Sequence, residues 1–206
     1  MPFAAQDIRN ARLHLRKSDP VLNHIIKQVG PFRCKVNRNR FQSLAHSIIS
    51  QQISGAAAKT IRSRLDQTAG PGNLTPIFIL ELGIDELRQL GISRQKATYL
   101  IDLAEKVESK QVDLDRLTKK DDSSVIAELV QVKGIGIWTA QMFLMFSLAR
   151  LDVFPVDDLG IQNAITQWYP ADTERSRQDL IDLSQSWRPF ATVASWYLWR
   201  SLELPE

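Results

Sequence analysis

The sequence predicts an all-α protein folded as two helical lobes. Apolar residues recur with helical spacing nearly everywhere, and Gly, Pro and Asp breakers cut that pattern into about ten or more short segments. No run of alternating apolar and polar residues survives as a strand. A chain of 206 residues, 44% of them apolar, is long enough to bury a real core in one generous domain or two small lobes.

Taken in order, helices are expected over 4–16 and 20–29, divided at Asp19-Pro20. After Gly30-Pro31, Phe41, Leu44, Ala45, Ile48 and Ile49 fall at i, i+3, i+4, i+7 and i+8, which is one helical face. A segment over 54–67 runs to Gly70-Pro71-Gly72, and the loop at Gly70–Asn73 reads as a boundary between lobes. Segments 75–82 and 85–90 lead to Gly91. Ala97, Leu100, Ile101, Ala104 and Val107 then repeat the apolar stripe. A helix over 123–131, capped by Asp122 or Ser123, enters Gly134-Ile135-Gly136, and another over 137–149 leaves it. Segments 158–168, 173–186 and 190–202 complete the chain, with Tyr169-Pro170 as a breaker. The middle, about 40–120, is expected to form one lobe, and the termini plus the hairpin region the other.

Composition narrows the function. No stretch of 18 apolar residues is present; the richest, Met142–Ala149, is broken by Ser147 and followed by Arg150, so a membrane partner is not expected. The N-terminal residues lack the pattern of a secretory signal. A lone Cys34 excludes an internal disulfide and a four-Cys cluster, and His14, His24 and His46 lack metal-ligand spacing. The net charge of +3 hides an asymmetry. Residues 1–65 hold twelve Lys or Arg against Asp7 and Asp19, a balance of +10, so the other 141 residues carry −7. Such a split suggests a polyanion-facing surface, although the same charges could simply solvate helix faces.

Two stretches carry chemistry. In Val132-Lys-Gly-Ile-Gly-Ile-Trp-Thr-Ala140, two glycines around one apolar residue permit a tight turn between helices. The N–H groups opening the second helix would then face a phosphate. From the turn alone, a plain helix–turn–helix connection, with Gly134 as a C-cap, is the favoured reading. Some twenty residues on, Val156-Asp-Asp-Leu-Gly-Ile161 starts a helix near Asp158. An Asp there ordinarily caps. The same dipole environment also suits a carboxylate that must stay charged beside a developing sugar cation.

Together these stretches resemble the helix–hairpin–helix DNA glycosylases, and within them the alkylation-repair, 3-methyladenine type. Asp19-Pro20, Ile48-Ile-Ser-Gln-Gln-Ile-Ser54, Leu90-Gly-Ile-Ser-Arg-Gln-Lys-Ala97 and Trp187-Arg-Pro-Phe190 extend the resemblance over about residues 19–200. It implies a two-lobed glycosylase fold, and a monomer acting on duplex DNA with alkylated bases by base excision. It also implies Asp158 as the catalytic residue, Asp157 as its neighbour, and Trp138, Trp199 and Met142 lining the base pocket. Met142 stands where longer relatives carry a tyrosine. DNA contacts would come from Gln52 as the residue filling the gap left by the flipped base, from Ile53, from Ile92 as a wedge, and from Lys133, Gly134, Ile135, Gly136 and Thr139. No organic cofactor is implied; the main-chain carbonyls of Val130, Val132 and Ile135 would hold a monovalent cation, Na+ or K+. Trp138 occupies the position where base-excising lyases carry a lysine, which places the chain on the monofunctional branch. For both tryptophans, core packing is the alternative that helical spacing offers. A non-enzymatic DNA-binding module and a bifunctional glycosylase/lyase remain the competing functions.

Overall fold

The computed structural model describes residues 3–171 and 173–204, and among these it contains helices and turns but no strand. The helices are α1 (Ala5–Ser18), α2 (Pro20–Val29), α3 (Arg40–Ser50), α4 (Gly55–Ala69), α5 (Pro76–Gln89), α6 (Arg94–Glu108), α7 (Asp122–Leu129), α8 (Ile137–Phe146), α9 (Leu159–Trp168), α10 (Arg177–Ser184) and α11 (Ala191–Ser201). No helix among the described residues is long and apolar enough to cross a membrane.

The chain forms two compact units. One joins the residues up to Val36 with those from Leu144 onward; the other is Asn37–Phe143. In the first, α2 packs on α1 and α11, and α11 on α9. Its core gathers Leu15, Leu22, Ile25, Ile161, Ile165, Trp187, Tyr197 and Leu198, all essentially inaccessible. Each such side chain contributes about 1.5–3 kcal/mol on leaving water. Asp19 is buried within this unit and fully engaged. Its Oδ1 caps α2 by accepting the Val21 and Leu22 N–H groups at 2.8 and 2.9 Å. Its Oδ2 accepts the Tyr169 hydroxyl and the Trp187 indole N–H, both at 2.7 Å. A buried carboxylate is tolerable only when so paired. Burial and the Asp19 charge together hold the Tyr169 phenol far above its ordinary pKa.

In the second unit α6 lies against α5 and α3, and α3 against α4. The faces predicted from spacing are buried except at Ile101, which is half-buried. Phe41, Leu44, Ala45, Ile48 and Ile49 line α3, and Ala97, Leu100, Ala104 and Val107 line α6.

Several boundaries differ from the sequence reading. The hairpin belongs with the middle unit, not with the termini, because its main chain is bonded into α6 and the α3–α4 turn, as described below. Gly70–Asn73 lies inside the middle unit; the units part at 36/37 and within α8. The two segments 75–82 and 85–90 are one element kinked at Gly83, whose φ of 70° no other residue type adopts comfortably. Asp121 caps α7, one residue earlier than expected, by accepting the Ser124 N–H. Helix α8 stops at Phe146, three residues early, ahead of a left-handed Ala149. Helix α10 starts at Arg177 because Ser176 and Asp179 form a reciprocal cap there.

Candidate functional site

The hairpin is built around Gly134. Its φ is 81°, and a Cβ there would come within 2.1 Å of a ring carbon of Tyr99 on α6. Glycine is therefore required twice, for the left-handed turn and for the close approach. Val132 and Ile135 are buried and pin the turn down. Asp102 on α6 accepts the Lys133 N–H at 2.9 Å and the Lys106 ammonium at 2.7 Å. Burial alone would raise the pKa of Asp102. The bonds from Lys106 and from the Lys133 N–H, with both lysine charges, outweigh it and hold the group below the usual carboxylate range. The Lys133 side chain is itself exposed, its Nζ 3.7 Å from Asp102 Oδ1.

The other side of the turn is exposed as expected. Gly136 is open to solvent, and its carbonyl accepts the Ala140 N–H at 3.0 Å, the first bond of α8. A helix start is where backbone N–H groups can meet a phosphate. Ile137 and Trp138 stand 59% and 45% exposed beside it. Two large apolar side chains in water at one helix start mark a contact surface rather than a core. The carbonyls of Val130, Val132 and Ile135 all lie in this segment, and that of Val132 already accepts the Ile135 N–H at 3.0 Å. Neutral carbonyl oxygens, each with a second lone pair, fit a hard monovalent cation in chemistry. Among the described residues no cluster of three or more His, Cys, Asp or Glu could hold a metal ion.

A cavity of about 700 Å³ opens within the middle unit between the hairpin and the α3–α4 turn. Trp138, Thr139 and Met142 of α8 line it, with Ser47 and His46 of α3 and the turn residues Gln51 and Gln52. The Gln51 side chain donates to the Gly134 carbonyl at 2.8 Å, joining that turn to the hairpin. Gln52 is exposed and left-handed, with φ 55°. A non-glycine residue pays about 1–3 kcal/mol for that conformation, and such residues cluster at functional sites. His46 is held by Asp66, which also accepts from Gln42, at 2.9 and 3.1 Å respectively.

The acidic motif lies in the unit that holds the termini. Asp158 caps α9: its Oδ1 accepts the Ile161 N–H at 2.9 Å. The same oxygen accepts the Trp199 indole N–H from α11 at 2.8 Å. Charge-assisted bonds to a carboxylate are worth about 1.5–3 kcal/mol each, so this side chain is tightly oriented. Gly160 makes the arrangement possible, because a Cβ there would come within 3.0 Å of the Trp199 ring and 3.1 Å of Asp158 Oδ1. Asp157 instead turns to the surface and pairs with Arg177 at 2.9 Å.

Of the residues expected from sequence, Trp138, Met142, Thr139, Gln52, Gly134 and Gly136 line one cavity, and Ile53 is exposed beside it at 38%. Trp199 is placed against Asp158 and Phe146, its ring 5.9 Å from the latter. Ile92 is only 3% exposed, its side chain packed in the core beside the turn. Lys96, Tyr99, Asp102, Gln51 and Gly160 escaped the sequence reading. Lys96 and Gln51 fall inside stretches quoted for the resemblance without being singled out, and Gly160 left a trace as a glycine inside a helix two residues after the acidic pair.

Residues 45–189 match the family model described as HhH-GPD superfamily base excision DNA repair protein. A relative in Schizosaccharomyces pombe, DNA-3-methyladenine glycosylase 1, is 31% identical over 97% of this chain and 90% of its own length. The Saccharomyces cerevisiae DNA-3-methyladenine glycosylase is 35% identical over 75% of this chain, but the match spans only 57% of that longer protein. The fold is similar to the solved structure of the Schizosaccharomyces pombe 3-methyladenine DNA glycosylase in complex with abasic DNA. Its TM-score is 0.84, with 31% identity over 95% of this chain and 97% of that one.

Proposed function

The chain belongs to the HhH-GPD superfamily of base excision DNA repair proteins, and on that premise we propose that it is a monofunctional N-glycosylase releasing alkylated purines such as 3-methyladenine from duplex DNA. The observation that carries the reading is the Asp158 carboxylate, buried, oriented by Ile161 and Trp199, and placed at the start of α9. An oriented carboxylate offers fixed negative charge to a sugar that acquires oxocarbenium character.

The hairpin grips the backbone phosphate, and Gln52 enters the stack as the nucleotide leaves it. Trp138 offers its ring face to the extruded base, where a cationic methylated purine gains most. Met142 supplies a polarisable, adaptable wall. The N-methyl charge makes the base a ready leaving group: the C1′–N bond breaks with its electron pair going to the base, which departs neutral. Asp158 stabilises the sugar cation until a water oxygen bonds to C1′ and sheds a proton to solvent. An abasic site remains. Trp138 stands where a lyase would need its lysine, so no Schiff base forms and the strand stays whole. The carbonyls of Val130, Val132 and Ile135 would hold a monovalent cation that adds positive charge toward the phosphate.

The test is base release from methylated duplex DNA by the purified chain, followed by alkali. Free 3-methyladenine, with strand breaks appearing only after alkali, is the expected result. Salt-dependent duplex binding without release would move the assignment to a passive DNA-binding module, and breaks without alkali would move it to a lyase.

A further inference from the structure

The turn that carries Gln52 is held from behind by a cation. Lys96, in the first turn of α6, sends its Nζ to the carbonyl oxygens of Ile49 at 2.7 Å and Gln51 at 2.5 Å. These belong to the last turn of α3 and its C-cap, where carbonyls lack intrahelical partners and the helix dipole is negative. One ammonium satisfies both. Lys96 is half-buried, and desolvation lowers its pKa from the ordinary value.

The second of these carbonyls matters most. The Gln51 C=O and the Gln52 N–H share one peptide plane, so fixing that oxygen restricts φ of Gln52, the left-handed residue at 55°. The Gln51 side chain is fixed as well, on the Gly134 carbonyl. Residue 51 is thus clamped at both ends, by α6 through its main chain and by the hairpin through its side chain. Gln52 projects from that clamp in a conformation the free chain would seldom adopt.

We infer that Lys96 is a positioning residue for base extrusion: its ammonium pre-sets the turn so that the Gln52 side chain is aimed before DNA arrives. Ordering the turn in advance removes that cost from the extrusion step. The inference rests on Gln52 being the residue that fills the vacated gap.

The experiment compares Lys96→Met, Gln52→Ala and the double variant on two substrates, one with the methylated base correctly paired and one with it mismatched. Extrusion costs least from a mismatch, so a defect in flipping shrinks there while a defect in chemistry persists. Lys96→Met is expected to slow excision from the paired substrate about 10- to 100-fold, the worth of charge-assisted bonds, and far less from the mismatch. The double variant should be no slower than Gln52→Ala, because Lys96 acts through that side chain. Equal losses on both substrates, or losses that multiply in the double variant, would overturn the inference. If Gln52→Ala leaves paired excision intact, the gap-filling role falls and the inference with it. If Gln52→Ala shows the paired-substrate defect and Lys96→Met does not, the gap-filling role stands and the clamp alone is wrong. Should Lys96→Met not fold well enough to purify, Lys96→Gln, which removes the charge but keeps donors, is read on the same pair with the same criteria.

Discussion

The indole N–H of Trp199 and the backbone N–H of Ile161 converge on a single oxygen of Asp158, at 2.8 and 2.9 Å. One donor comes from the helix that Asp158 caps and the other from α11, forty-one residues further along the chain. The carboxylate is therefore oriented by its own helix and by tertiary packing at once.

Asp158→Asn keeps a good cap, since Asn serves at that position nearly as well as Asp, but removes the negative charge. Excision should fall by about a hundred- to a thousandfold, the scale of losing a dedicated electrostatic stabiliser. Duplex affinity, measured by fluorescence anisotropy on the same methylated substrate, should change little. Turnover within tenfold of the parent would remove Asp158 from the chemistry.

Trp199→Phe keeps a ring beside Phe146 but deletes the indole donor. The carboxylate loses one of its two named orienting bonds, so kcat should drop by about tenfold, from a bond worth ~1.5 kcal/mol or more. KM should hold. A rise in KM with kcat unchanged would mean that Trp199 serves binding instead.

Gly134→Ala asks for a Cβ in the space of the Tyr99 ring and for a left-handed alanine. The variant should lose about 2–4 kcal/mol of stability, or fold with the hairpin displaced and duplex affinity reduced. Urea unfolding combined with a binding titration decides this. The pair Gly134→Ala with Tyr99→Ala, which vacates the ring, should recover part of the loss if the clash is its cause.

Asp102 supplies a pH dependence. Its pKa is held below the usual carboxylate range when folded, so its bonds to the Lys133 N–H and Lys106 stabilise the protein above the unfolded-state value. That contribution disappears as pH falls through the depressed folded value, in the region below about pH 4. Thermal unfolding from pH 6 to pH 2 should show it, and Asp102→Asn should flatten that part of the profile. An unchanged profile in the variant would assign acid sensitivity to other carboxylates.

Much of the fold was legible because helical faces are local. Phe41, Leu44, Ala45, Ile48 and Ile49 stand three or four residues apart, and that spacing alone puts them on one side of α3. The left-handed turn at Gly134, the cap at Asp158 and the exposed start of α8 are likewise written in short stretches of residue types. The burial of Ile92 was not legible, because an apolar residue between two breakers looks the same in sequence whether it points into a core or out of it. The hairpin's lobe was misread for a related reason: the side chains that bind it, Tyr99, Asp102 and Gln51, are thirty to eighty residues away along the chain.

By itself, then, the sequence determined an all-helical chain, most of its helix faces, and the presence of a glycine hairpin and of an acidic helix start. All of these depend on periodicity and on contacts within a single turn. Only the tertiary structure decided that Lys96 grips the turn before Gln52, that Tyr99 fills the space a side chain at 134 would need, and that Trp199 steers the oxygen of Asp158. Those relations join residues distant in sequence, and their energy arises from hydrogen bonds and close packing that exist only once separate helices are brought together.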